Sequence, residues 1–143
     1  MLFLYIEKFV REKVHKLIKR QGTSDPNELI ASKKSITFFY LPMNGNINGM
    51  YKYISSKKQI LSVNDYLEGL DRQYACFHEL GHVEFKHKGK LLLNAPGINE
   101  RKEEYVADLF ATYMVIKHNG ITLENINEFI LPNRVSELVH KFL

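Results

Sequence analysis

His78 and His82 stand four positions apart, and Glu79 directly follows the first of them in the stretch His78-Glu79-Leu80-Gly81-His82. In a helix this spacing is just over one turn, so both imidazole rings project from one face and can bind the same metal ion. Glu79 lies about 100° around the helix from His78, where its carboxylate can flank the metal without binding it. The pattern therefore predicts a tetrahedral metal site with Glu79 as the general base that deprotonates the attacking water.

A third ligand is predicted on the next helix, where Glu104 opens the stretch Glu104-Tyr105-Val106-Ala107-Asp108. Two antiparallel helices joined by a loop would bring Glu104 back towards the two histidines. Glu103 is the alternative third ligand. The simpler interpretation of either glutamate is a solvent-exposed surface residue. Asp108 lies one turn beyond Glu104 on the same face, placed to accept an N–H from a ligand histidine and to set its tautomer. We therefore predict zinc bound by His78, His82 and Glu104, because HExxH on a helix is a zinc peptidase pattern.

Other polar and aromatic residues have simpler interpretations. Histidines outside the motif are more often surface residues than ligands, and His87 is the one close enough to line the cleft. Cys76 is predicted to lie in the core. Tyr51 and Tyr53 alternate on a predicted strand and favour cross-strand packing, with donation from one phenol to the oxyanion as the alternative.

Periodicity places these residues on an α+β framework. Helical spacing predicts helices over 2–20, 26–32, 65–86 and 100–118 and two short ones over 123–130 and 134–142, and the loop between the long pair contains Asn94, Pro96 and Gly97. Runs of β-branched and aromatic residues predict strands over 36–41, 50–54 and 59–63, the last two as a hairpin. The expected fold is a small three-stranded, mainly antiparallel sheet packed on a helical bundle. That bundle carries the HExxH helix and the following helix that supplies Glu104.

Length and composition favour one domain over 1–143, which the HExxH motif predicts to be a metallopeptidase; 1–64 holds the first helices and the sheet, 65–118 the zinc-binding helix pair, and 119–143 the last two helices. The 20 Lys and Arg against 16 Asp and Glu give a net charge of +4, a dispersed surplus rather than a basic tail. A single cysteine fits a reducing compartment, and the short apolar start runs into charged residues. We therefore expect a cytoplasmic protein without a signal peptide or membrane span.

The sequence also resembles the ImmA/IrrE family of zinc metallopeptidases of phages and integrative elements. The resemblance follows the order of several blocks: 23–26, Asn48-Gly49 before Tyr51-Lys52-Tyr53, 60–64, 73–82 and 104–111. Val106 and Tyr113 stand where the family commonly has Glu, and Lys86 where it often has another His. These departures affect no predicted ligand, although they bear on substrate contacts.

The resemblance implies a zinc-dependent endopeptidase whose substrate is a helix-turn-helix transcriptional repressor of a phage or mobile element. The alternative is a zinc-stabilised binding module that sequesters the repressor without cleaving it. A DNA-binding protein with an accidental HExxH has only the basic charge balance in its favour, so direct nucleic-acid binding is not expected.

Overall fold

A computed structural model describes residues 2–88 and 98–143, which form five α-helices and a three-stranded sheet. The predicted loop around Asn94, Pro96 and Gly97 lies outside the described residues. In chain order the elements are α1 (Leu2–Gln21), α2 (Pro26–Ala31), β1 (Ile36–Leu41), β2 (Gly49–Ser55), β3 (Lys58–Asn64), α3 (Gly69–Glu84), α4 (Ile98–Asn119) and α5 (Asn133–Leu138), with 3₁₀ turns at Ile126–Glu128 and Val139–Lys141. The α+β class is confirmed.

The sheet is mixed, with strand order β1-β3-β2. β2 and β3 form the predicted antiparallel hairpin, whereas β1 pairs in parallel with β3, from Ile36 opposite Gln59 to Leu41 opposite Asn64. The expectation of a mainly antiparallel sheet therefore holds for one of its two pairings. The long connection over 42–48 leaves a gap one strand wide between β1 and β2, and β3 fills it. Consequently β3 is central, and β2 is an edge strand.

The helices α3 and α4 pack closely because small residues meet at their crossing. A Cβ atom added at Gly81 would lie 3.0 Å from Cδ1 of Phe110 and 3.3 Å from Cα of Ala107. Ala107 lies between Glu104 and Asp108 in sequence, so this approach turns both acidic residues towards the HExxH motif. The apolar faces of α1, α3 and α4 form the core, which contains among others Val10, Val14, Leu17, Phe77, Leu80, Leu109, Phe110 and Met114.

Three predicted boundaries require correction. The HExxH helix begins at Gly69 rather than at 65, because the side-chain oxygen of Asn64 accepts hydrogen bonds from the backbone N–H groups of Met43 and Tyr66 and holds a turn there. The predicted helix over 123–130 is only a 3₁₀ turn, Ile126–Glu128. The predicted helix over 134–142 divides into α5 and a second 3₁₀ turn. Within the described residues, no helix combines the length and apolar character needed to cross a membrane.

Candidate metal centre

The predicted ligand residues come together between α3 and α4. His78 and His82 project from α3 one turn apart, and Glu104 reaches them from the early part of α4. One ligand atom of each residue lies within 4.8 Å of those of the other two. The expected juxtaposition of the two rings with Glu104 is confirmed, while the roles of these residues in metal binding stay predictions.

The Glu104 carboxylate lies at a distance from each ring that is compatible with a shared metal ion. Oε2 of Glu104 lies 2.9 Å from Nε2 of His78, and Oε1 lies 3.2 Å from Nε2 of His82. Ligand atoms around zinc, with bonds of 2.0 to 2.1 Å, are separated by about 3.3 Å at the tetrahedral angle. Two imidazole nitrogens and one carboxylate oxygen are also the donor set of known catalytic zinc sites, which leave a fourth position open.

The electrostatics of the cluster favour a cation. Burial opposes the charged form of His78, but the carboxylates of Asp108 and Glu104 outweigh it and raise the pKa of that ring to about 10. Hydrogen bonds from His78 and His82 hold the pKa of Glu104 well below its usual range, even though its side chain is 57% exposed. Carboxylates that stabilise a proton on His78 can stabilise a metal ion in its place, since metal binding to such a site releases that proton.

Glu79 is buried beside the two histidines, and Gly49 makes room for it. A Cβ atom at Gly49 would lie 2.8 Å from Oε2 of Glu79 and 3.0 Å from the carbonyl oxygen of Ser62. Any larger residue at the start of β2 would displace the carboxylate or the strand. Burial raises the pKa of Glu79, while the charges of His78 and His82 oppose the shift. The result is a carboxylate that is more basic than an exposed one.

Asp108 lies behind His78, where its position was predicted. Its Oδ1 lies 2.9 Å from Nδ1 of His78, a hydrogen-bond distance at which the ring N–H is not well aligned. The Tyr74 hydroxyl donates to Oδ1 at 2.7 Å, and Nε of Arg134 donates to Oδ2 at 2.9 Å. Burial alone would raise the pKa of Asp108, but the contacts with His78 and Tyr74 hold it below its usual value. Asp108 is therefore an ionised carboxylate held by α3 and α5.

His82 has a different neighbour on its second nitrogen. Nδ1 of His82 lies 2.9 Å from Nδ1 of His87, and the ring of His82 stacks on Tyr51 with 5.1 Å between centroids. Burial and the nearby His82 lower the pKa of His87 to about 4, so His87 is neutral at pH 7 and can accept the N–H of His82. Glu103, the alternative ligand, lies 3.6 Å from Nδ1 of His87. Among the described residues, the three mutually close ligand groups do not include it.

The turn after α3 places the His87 ring beside the His82 ring. The N–H of His87 donates to the carbonyl of His82, and the N–H of Lys86 donates to the carbonyl of Val83. This pair of bonds is a Schellman motif, in which the residue after the helix adopts the left-handed conformation that usually favours glycine. Here that residue is Lys86, with φ of 56°. The Tyr51 hydroxyl also donates to the carbonyl oxygen of His87.

A cavity of about 430 Å³ opens over the cluster and is walled on one side by β2. Gly49, Met50 and Tyr51 line it from the strand, opposite the two histidines and the three glutamates 79, 103 and 104. A cleft of this shape can admit an extended chain beside the cluster.

Sequence reasoning missed several residues at this site. Tyr74 and Arg134, which hold Asp108, had no signal because their contacts join α3 and α5 to α4. His87 was predicted to lie close enough to line the cleft, but not to be a partner of His82. Gly49 had a detectable signal, since Asn48-Gly49 belongs to one of the blocks that carry the family resemblance.

Comparisons with known proteins agree with this geometry. The family model described as Peptidase U49 matches residues 41–137, which include every residue of the cluster. The chain is 31% identical over 130 residues to uncharacterized immunity region protein 2 of Bacillus phage phi105, covering 87% of this chain and 78% of that protein. It is 29% identical over 122 residues to Metallopeptidase ImmA of Bacillus subtilis strain 168, covering 81% and 68% respectively.

Proposed function

The chain belongs to the Peptidase U49 family, the ImmA/IrrE metallopeptidases, and on that premise we propose that it is a cytoplasmic zinc-dependent endopeptidase that cleaves a helix-turn-helix repressor of a phage or mobile element. A protease role follows from the family itself. The names of the two relatives, an immunity region protein and a metallopeptidase, support the finer proposal. The observation that carries it is the convergence of His78, His82 and Glu104 in one cavity with Glu79.

In this proposal His78, His82 and Glu104 hold the zinc ion, and Glu79 performs the proton transfers. When bound there, zinc supplies Lewis acidity that polarises a scissile carbonyl and eases the deprotonation of water. The Glu79 carboxylate accepts the proton of the attacking water and delivers it to the leaving amine, which its raised pKa favours. Asp108 orients His78 through Nδ1, and His87 orients His82 in the same way.

The edge strand β2 is the natural place for the substrate backbone. β3 pairs with β2 on one side only, and the β2 residues Gly49 to Tyr51 line the cleft. An extended peptide can add to this edge as a further strand, so that main-chain hydrogen bonds hold it across the Glu79 carboxylate. A folded repressor would first have to expose such a segment.

The experiment is to incubate the zinc-loaded protein with helix-turn-helix repressors encoded near it, with and without chelator. We expect cleavage that the chelator abolishes. Glu79→Gln should retain zinc and lose at least about 100-fold of the cleavage rate, because general-base catalysis contributes two to four orders of magnitude. Cleavage that survives in zinc-loaded Glu79→Gln would contradict the role of Glu79. De-repression without cleavage in the same variant would instead favour the sequestering module.

A further inference from the structure

A second cavity, of about 490 Å³, lies on the opposite side of Tyr51 from the metal cluster. Tyr51 lines both cavities, so its ring is the wall between them. The second cavity runs along β2 to Tyr53 and is closed by the turn after α3. It is therefore a continuation of the cleft, in the direction in which β2 leaves the cluster.

This second cavity is basic. Its described lining residues include the three lysines 33, 86 and 88 and no carboxylate. Nζ of Lys33 lies 2.5 Å from Oε2 of buried Glu84, so its charge is neutralised from below. Lys86 and Lys88 are exposed, and neither forms an ion pair with a described residue. Nζ of Lys88 lies 5.8 Å from the centroid of the Tyr53 ring, over the mouth of the cavity.

Lys86 has a left-handed backbone conformation, which is strained for a residue other than glycine, and its side chain lines the second cavity. A non-glycine residue in the left-handed region costs about 1 kcal/mol, and glycine is the usual residue at this point of a Schellman motif. Lysine at φ of 56° brings a positive charge to the cavity where glycine would relieve the strain. An outlier of this kind points to a function for the side chain.

The direction of β2 relates this cavity to the scissile bond. β2 runs from Gly49, beside Glu79, to Tyr53, beside the lysines. A peptide that adds antiparallel to β2 has its N-terminal part next to Tyr53. Strand residues rise about 3.3 Å each and alternate between two faces, so the cavity is reached about two to four residues before the bond at the cluster.

We propose that the second cavity is a substrate subsite that takes an Asp or Glu side chain on the N-terminal side of the scissile bond. The carboxylate would lie between the ammonium groups of Lys86 and Lys88. This inference rests on the proposed endopeptidase function, and it adds a sequence preference that the metal cluster by itself does not require.

The test is a cleavage profile on a mixture of peptides released by trypsin from a bacterial protein extract. With the zinc-loaded protein, the new termini identified by mass spectrometry should show Asp or Glu enriched at one position two to four residues before the cut. Lys86→Gln with Lys88→Gln should reduce this enrichment about fivefold, which is the range for two partly exposed charge interactions. The matched control, Lys16→Gln with Lys19→Gln on the exposed side of α1, removes the same charge and should keep the preference.

A second measurement does not depend on cleavage. Immobilised, zinc-loaded Glu79→Gln is exposed to the same peptide mixture, and the retained peptides should be enriched in acidic residues only while Lys86 and Lys88 are present. Lys86→Gly separates the subsite from folding, because it should raise Tm by relieving the left-handed backbone and still weaken the acidic preference.

The outcomes distinguish the subsite from the peptidase. Cleavage without acidic preference, or with a preference that the lysine variants leave unchanged, overturns the subsite alone. Lysine-dependent retention of acidic peptides without any cleavage supports the subsite and overturns the proposed activity. If the protein shows no cleavage and no selective retention, both proposals are contradicted.

Discussion

His78 and His82 differ in what holds their second nitrogen, although the motif makes them equivalent. Asp108 lies behind His78 and is itself held by Tyr74 and Arg134, so this support is anionic and spans three helices. His82 instead faces the neutral ring of His87, which the chain supplies only five residues later through the turn after α3. One histidine therefore depends on the packing of distant segments, and the other on a local turn.

The spacing of the motif places both rings on one face of α3, while the surrounding segments determine how firmly each ring is oriented. An ionised acceptor stabilises an imidazole N–H more than a neutral one does. We therefore expect the support of His78 to contribute more to zinc affinity than the support of His82.

The largest loss of zinc affinity is expected when either predicted ligand histidine is deleted. His78→Ala and His82→Ala each delete a predicted ligand, and each should lower zinc affinity by at least about 100-fold, as expected when a site worth about 10 kcal/mol or more loses one of its ligands. Competition with a chromophoric chelator measures the affinity. His140→Ala, at an exposed position, serves as control. Stoichiometric zinc at wild-type affinity in either ligand variant would contradict the assignment.

Asp108→Asn tests the anionic support. It keeps the shape of the side chain but removes the charge, and zinc affinity should fall about 10- to 100-fold, the usual cost of losing a carboxylate behind a ligand histidine. Asp71→Asn, an exposed acid in the first turn of α3, provides the matched control. An affinity equal to that of the control would show that His78 needs no carboxylate.

His87→Ala tests the neutral support. A hydrogen bond between neutral groups contributes about 0.5 to 1.5 kcal/mol, so zinc affinity should fall about threefold to tenfold. If this variant loses more zinc affinity than Asp108→Asn in the same chelator assay, the expectation that the support of His78 contributes more than the support of His82 is contradicted.

Arg134→Gln tests the contact between Arg134 and Asp108, the carboxylate behind His78. The side chain is 39% exposed, so its pairing with Asp108 contributes at most about 1 kcal/mol, and zinc affinity should fall about fivefold or less. The same change made in the Asp108→Asn background should have no further effect, because the two residues act in series. An equal loss in both backgrounds would show that Arg134 acts independently of Asp108. Arg20→Gln is the control for charge.

Tyr51→Phe should have the smallest effect. Its ring still stacks on His82, and only the hydrogen bond to the carbonyl of His87 is lost, so zinc affinity should change less than about threefold. Burial, assisted by Glu103, raises the pKa of this phenol to about 12, so it is protonated at neutral pH. If Tyr51 were the oxyanion donor, kcat would fall by about 100-fold or more. We expect a fall below tenfold.

Local patterns were sufficient to predict the first two helices and the three strands. The apolar periodicity of α1, the Asp25-Pro26 start of α2 and the β-branched runs of the three strands are short-range signals, and the observed bounds lie within one residue of those predicted. The side chain of Asp25 caps α2 by accepting from the N–H of Glu28, as its residue type indicates. The last segment was overestimated, because apolar residues at helical spacing predicted two helices over 123–130 and 134–142 where the structure has one helix of six residues and two 3₁₀ turns.

By itself, the sequence determined that two imidazoles and a flanking carboxylate share one helical turn, and that a further Glu and Asp share the next helix. These are consequences of 3.6 residues per turn, which no tertiary contact is needed to establish. The tertiary structure decided that β3 lies between β1 and β2, and hence that β2 is the edge beside the cluster. It also decided that Tyr74 and Arg134 hold Asp108 and that Lys86 and Lys88 line a cavity with Tyr51. Such contacts join residues far apart in the chain, and they depend on packing, which has no period in the sequence.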